Sequence, residues 1–199
     1  MKNTYSISEI IKNVFALLFT KLFYPGARLI RLPIYVRGRK HLTYGNGFST
    51  GYGCRIEMFN QDKDINLIKI GQNCKLGDYV HISACEKVVI GNNCLMASHI
   101  FISDNSHGVY SGEGVHSSPD SEPDKRPLFS KPLMIGDNVW IGENVCILPG
   151  VKIGNGCIIG ANSIVNKDIP DNCIAAGVPA KIIKIYDRMR SRWMSVKKD

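Results

Sequence analysis

The sequence lacks paired cysteines, long apolar runs and concentrated proline, and each absence removes a class of protein. Its seven cysteines are odd in number, none forms a Cys-x-x-Cys pair and no secretory leader is evident. A disulfide framework is therefore not expected, and a reducing cytoplasm is the natural compartment. The most apolar stretch, Val14 to Phe19, is bracketed by Lys12 and Lys21. That is far short of the ~20 residues a helix needs to span a bilayer. Nine prolines against nineteen glycines, both dispersed, leave little flexible linker and imply many tight corners.

The net charge of +8 suggests a polyanion partner until it is placed along the chain. Within residues 1–40, Lys2, Lys12, Lys21, Arg28, Arg31, Arg37, Arg39 and Lys40 stand against the single Glu9, a balance of +7. A basic stripe beside apolar residues, without a nucleic-acid fold motif, suits an anionic membrane surface or polyanionic acceptor better than a base-reading module. No nucleic-acid partner is expected; peripheral membrane contact through residues 1–31 is.

From Ile70 onward the chain repeats with a period of six. Ile70, Leu76 and Ile82 are in phase, then Ile90, Met96 and Ile102, then Ile135, Ile141, Ile147, Ile153, Ile159 and Val165; Asp171 is the first break. One aliphatic residue per hexad points inward, a Gly or other small residue turns the chain, and a second small residue follows four positions later. Three hexads make one triangular coil, and stacked coils share backbone hydrogen bonds and a continuous aliphatic core. Cys74, Cys94, Cys157 and Cys173 occupy the second small position and read as packing residues. Leu42, Phe48 and Cys54 are weaker hexads that place the first coil near residue 34, before a polar excursion from Phe59 to Asn66. The spacing of eight between Ile82 and Ile90 marks a corner bulge, and a loop rich in Gly, Ser and Pro breaks out over 108–132.

This run resembles the hexapeptide-repeat acyltransferases, which implies a left-handed parallel β-helix. The expected organisation is an amphipathic helix and basic segment over 1–33, the β-helix over 34–180, and a C-terminal helix and tail over 181–199. Ser6-Ile7-Ser8-Glu9 is a capping box, and Pro25-Gly26 stops the first helix.

Acyl transfer to an alcohol requires a base, donors for the developing oxyanion and a slot for the acyl carrier. Of five histidines, His41 and His116 read as surface residues, whereas His81 and His99 lie within hexads. His107 falls in Ser103-Asp104-Asn105-Ser106-His107-Gly108, where the coil ends and the loop begins. Val139-Trp140-Ile141-Gly142-Glu143-Asn144-Val145, Ile158-Ile159-Gly160-Ala161-Asn162-Ser163 and Ala175-Ala176-Gly177-Val178-Pro179-Ala180-Lys181-Ile182-Ile183-Lys184 resemble the galactoside, maltose and polysaccharide O-acetyltransferases. That resemblance implies acetyl-CoA as co-substrate, His107 as general base and a homotrimer. It also implies Trp140 lining the active site, backbone at Gly142 and Glu143 facing the thioester, and Ala161, Lys167, Lys181 and Lys184 on the carrier. His81, Cys85, Asp104 and Asn105 are candidate acceptor contacts, and Asp104 is also a candidate to orient the His107 ring.

The galactoside-type enzymes place Asn and Asp where this chain has Gly77 and Cys85, so its acceptor contacts differ. The segment Tyr24-Pro25-Gly26-Ala27-Arg28-Leu29-Ile30-Arg31 resembles enzymes that decorate surface-polysaccharide precursors. An O-acetyltransferase acting on a sugar or polysaccharide precursor is the expected activity. An amine acceptor, or a non-catalytic binding role, is the alternative. The zinc carbonic anhydrases share the scaffold, but two of their ligands lie five residues apart and no His pair here has that spacing. No metal is expected.

Overall fold

A computed structural model describes residues 5–59, 67–110 and 116–196. It shows a left-handed parallel β-helix of triangular cross-section, with one strand per face in each coil. The first face stacks Leu29–Ile30, Ser49–Thr50, Lys75–Leu76, Leu95–Met96, Trp140–Ile141, Ile158–Ile159 and Cys173–Ala176. The second stacks Ile34–Arg37, Cys54–Met58, His81–Ala84, Phe101–Ser103, Cys146–Ile147 and Ile164–Val165. The third runs from Leu42–Tyr44 through Ile68–Ile70, Val88–Ile90 and Leu133–Ile135 to Lys152–Ile153. The polar excursion expected at 59–66 lies almost wholly outside the described residues.

The six-residue period becomes a column of buried side chains. Ile70, Ile82, Ile90, Ile102, Ile135, Ile141, Ile147 and Val165 are all 2% exposed or less, and Cys74, Cys94, Cys157 and Cys173 pack between them as free thiols. At the corners the backbone must turn with positive φ, where Asn is favoured among non-glycine residues. Asn73, Asn93 and Asn138 do this at one corner, and their amides hydrogen-bond coil to coil at 3.3 and 3.2 Å.

The stack begins earlier than residue 34. Leu29–Ile30 already pairs with Ser49–Thr50, and Ile30 is fully buried, six positions before Val36. Helix α1 (Ile7–Phe23) carries the expected capping box and lies across this open end. The Thr20 hydroxyl accepts the Ile30 N–H at 2.7 Å, and the Arg31 Nε donates to Asn13 Oδ1 at 3.3 Å. The docked face is thus the small and polar one, with Ala16 and Thr20 the buried residues. The apolar arc points away: Ile7, Ile11, Phe15, Leu18 and Leu22 are between 62% and 78% exposed.

At the other end the described residues form strands where a C-terminal helix was expected. Lys181–Asp187 runs antiparallel against Cys173–Ala176, and Arg192–Ser195 runs antiparallel beside it. The last coil leaves a row of unpaired backbone groups, and a strand satisfies them where a helix does not. Ile182, Ile183 and Ile185 are β-branched and suit that role, and Tyr186 packs edge-on against Trp193 at 5.2 Å.

Candidate active site

The inserted segment leaves the second face after Phe101–Ser103 and folds back as a hairpin, Asn105–His107 against Leu128–Ser130. Gly108, at φ +94°, makes the turn out of it and donates its N–H to Pro127 at 2.8 Å. The Tyr110 hydroxyl caps the His107 carbonyl at 2.9 Å. His107 is therefore held on ordered backbone with its side chain exposed.

Beneath the hairpin lies a cavity of about 380 Å³, bounded by the second face and the hairpin, with His81, Phe101, Asn105 and His107 among its walls. Three sequence candidates thus converge. Asn105 donates to Ser83 Oγ at 3.0 Å, so its amide is part of the wall. Ser103 Oγ donates to the Asn105 carbonyl at 2.9 Å and ties the hairpin to the coil.

Asp104 does not orient His107. It is wholly buried, and its carboxylate accepts the backbone N–H groups of Cys85, Glu86 and Lys87 at 2.8, 2.8 and 2.6 Å. Its role is to hold the corner bulge between Ile82 and Ile90, by accepting three successive backbone N–H groups of the bulge. It is therefore not an acceptor contact. Cys85 belongs to the same corner and is not among the cavity walls. Burial, reinforced by the Asp104 charge, pushes its thiol up to about 11, so it is no nucleophile at neutral pH. His41, read as a surface residue, is buried at 1% exposure under the first coil's third-face strand; His116 is exposed.

Sequence reasoning missed the charged group beside His81. Glu57 is 2% exposed and accepts from Arg55 Nε at 2.5 Å and His81 Nε2 at 3.1 Å, with Arg37 Nε 3.9 Å away. The alternation Arg55-Ile56-Glu57-Met58 marks 55 and 57 as outward positions. Nothing local shows that Glu57 is met by a residue 24 positions later.

The carrier candidates lie elsewhere. Trp140 is half exposed on the first face, in a register column that continues through Ile158 and Ile174 to Lys184. At ~4.8 Å per strand that column spans about 14 Å. Gly142 follows at the next corner, where a Cβ would lie 2.6 Å from the Ala161 nitrogen, so only glycine permits the coils to close. The Glu143 side chain accepts the Ser98 N–H at 3.1 Å, and Lys167, Lys181 and Lys184 are exposed at the C-terminal coils. None of these residues is among the walls of the cavity at His107.

Fold and site together define an enzyme of acyl transfer built on a hexapeptide-repeat β-helix. The family description "Bacterial transferase hexapeptide (six repeats)" matches residues 133–167. The chain is 42% identical, over 95% of its length and 94% of the relative's, to the putative lipopolysaccharide biosynthesis O-acetyl transferase WbbJ of Escherichia coli K12. It is 53% identical to the galactoside O-acetyltransferase of the same organism over 31% of this chain and 30% of that one. Among solved structures, it superposes with a TM-score of 0.67, over 96% of this chain and 94% of that one at 21% identity, on AntD. AntD is an N-acyltransferase from Bacillus cereus, seen in complex with dTDP-4-amino-4,6-dideoxyglucose and coenzyme A. The chain belongs to the hexapeptide-repeat acyltransferase family.

Proposed function

We propose that this protein transfers the acetyl group of acetyl-CoA to a hydroxyl of a sugar in a surface-polysaccharide precursor. The observation that carries this reading is His107, held by the hairpin at the mouth of a cavity of sugar size. In the reaction, the acceptor oxygen bonds to the acetyl carbon as His107 takes its proton, and the carbon–sulfur bond breaks. The proton passes to the departing thiolate, leaving an ester and free coenzyme A. The likeness to WbbJ over nearly the whole chain supports a lipopolysaccharide-type acceptor.

The carrier residues Trp140, Gly142, Ala161, Lys167, Lys181 and Lys184 lie on or near the first face or the C-terminal coils, whereas His107 stands over the second. They meet when the first face of one copy lies against the second face of another, which is the basis for proposing a homotrimer with active sites between subunits. The outward apolar arc of α1, with Lys12, Lys21 and Arg28 exposed around it, is proposed to rest on an anionic membrane surface. Among the described residues no helix is long and apolar enough to cross a membrane. The direct test is mass spectrometry of surface glycans and their precursors from cells with and without the protein. Loss of an ester-linked acetyl group is expected; loss of an amide-linked one, or no change, overturns the assignment.

A further inference from the structure

Glu57 occupies an outward position of the second face, where a side chain ordinarily meets solvent, yet it is almost completely covered. A buried carboxylate is costly unless paired and hydrogen-bonded. Its cover is two guanidinium cations, Arg55 at 2.5 Å and Arg37 at 3.9 Å, and the His81 ring at 3.1 Å. Burial alone raises the Glu57 carboxyl, but the Arg55 hydrogen bond and charge, followed by His81, hold it below the ordinary carboxylate range. Burial, with Arg55 nearby, lowers His81 against the pull of Glu57. The imidazole is therefore neutral at pH 7, and its Nε2, facing a carboxylate, must be the protonated nitrogen.

The charges of this group do not cancel. Arg37 and Arg55 outnumber Glu57, and it is the cationic side chains that reach solvent, 48% and 56% exposed against 2% for Glu57. The Arg37 guanidinium carbon lies over the Phe59 ring, 5.3 Å from its centroid. A ligand entering the cavity beside His107 thus meets the Arg55 guanidinium, already oriented by the carboxylate beneath it, with the Arg37 charge just outside the cavity walls on the far side of Glu57. Guanidinium forks match the paired oxygens of phosphate and carboxylate groups. A volume of about 380 Å³ holds one sugar unit, so such a group would lie close to the hydroxyl presented to His107.

We infer that Arg55, with Arg37, forms an oxyanion subsite, and that the acceptor is an acidic sugar derivative carrying a phosphoryl or carboxylate group near the acetylated hydroxyl. Glu57 is the positioning residue of this subsite. The inference rests on the cavity at His107 being the acceptor site, but its test does not require turnover.

Full-length protein is saturated with coenzyme A, so that the carrier site is filled. Pyrophosphate and, separately, glucuronate are then titrated by calorimetry, with the His81 ring signals followed by NMR. At least one anion should bind and shift the His81 signals. Tighter pyrophosphate binding assigns a phosphoryl acceptor, and tighter glucuronate binding assigns a uronate. Arg55→Ala should weaken binding ~10-fold or more, the size of a lost charge-assisted hydrogen bond, and Arg55→Lys should recover only part. Should Arg55→Ala misfold, Arg37→Ala, which leaves the 2.5 Å pair intact, should still weaken binding ~3-fold or more, by loss of the more distant charge. Replacement of Lys152 by Ala, an exposed lysine outside both the cavity and the carrier residues, should leave anion affinity within about 2-fold.

The proposal fails if neither anion binds, if binding survives removal of both arginines, or if the lysine variant loses it. Each of these results leaves the role of His107 standing. Conversely, a His107→Ala enzyme that still transfers acetyl groups would overturn the base assignment without touching the anion data.

Discussion

A sugar hydroxyl is too weakly acidic to ionise at neutral pH, so the proposed reaction needs a base to remove the proton as the thioester is attacked, the role proposed for the imidazole at position 107. A positioned general base contributes ~10²–10⁴ in rate. His107→Ala should therefore lower kcat by about 10²–10⁴-fold while coenzyme A affinity stays unchanged, because in the proposed reaction the ring serves the acceptor and not the carrier. Steady-state kinetics beside calorimetric coenzyme A binding checks both halves. Asp104 shows the opposite kind of residue, conspicuous beside His107 in sequence yet structural in the fold. Its two oxygens satisfy three backbone N–H groups at 2.8, 2.8 and 2.6 Å. An amide at this position keeps one acceptor oxygen and turns an NH2 group toward the remaining donors. Asp104→Asn should cost ~1–3 kcal/mol through the buried unsatisfied amides. For a chain of this size that lowers Tm by about 2–4 °C per kcal/mol, which thermal unfolding reads, and coenzyme A binding should persist.

At the scale of elements, periodicity decides what sequence can reveal. Ile70 to Ile102 and Ile135 to Val165 announce the coils because every sixth side chain is forced into one core, and each such position is buried as expected. The first two coils were harder to see: their inward positions include Tyr44 and Thr50, and Leu29–Ile30 follows closely on a helix. The C-terminal segment misled for a different reason. Lys181-Ile182-Ile183-Lys184-Ile185 satisfies either a basic helix or an edge strand, and only the open edge of the last coil selects the strand. Of the cavity's walls, His81, Asn105 and His107 could be singled out in the sequence, whereas the Glu57 group could not, because its contacts with His81 and Arg37 join separate coils. The strand Lys181–Asp187 also places Lys184 in the column of Trp140. Replacing Lys167, Lys181 and Lys184 together with Ala should weaken coenzyme A binding and flatten its salt dependence, since exposed ion pairs to phosphate are screened over ~10 Å at 0.1 M salt. Unchanged affinity at low and high salt would remove these lysines from the carrier site.

For the whole molecule, the two ends of the prism are finished differently. The C-terminal end is closed by strands, whereas the N-terminal end is closed by α1 through Thr20, Asn13 and Ala16. Because the helix lies across the first coil, its apolar arc points away from the stack. In a trimer with parallel prism axes, three such arcs lie at one end of the assembly. Light scattering should give three chains per particle, and a monomer at micromolar concentration would remove the shared active site.

The arcs carry the last prediction. Phe15 and Leu18 are 65% and 62% exposed, and full burial of such side chains stabilises by ~1.5–3 kcal/mol each. Burying even half of that area on a lipid surface, from two residues, corresponds to roughly tenfold or more in partitioning. The full-length protein should therefore sediment with vesicles containing phosphatidylglycerol, and less so with neutral phosphatidylcholine vesicles or at high salt, because Lys12, Lys21 and Arg28 add the electrostatic part. The double substitution Phe15→Glu and Leu18→Glu should abolish sedimentation while leaving coenzyme A binding and the trimer intact, since both side chains point away from the first coil. If the substituted protein instead dissociates into monomers, the arc is a subunit contact, and the end of the prism does not face a membrane.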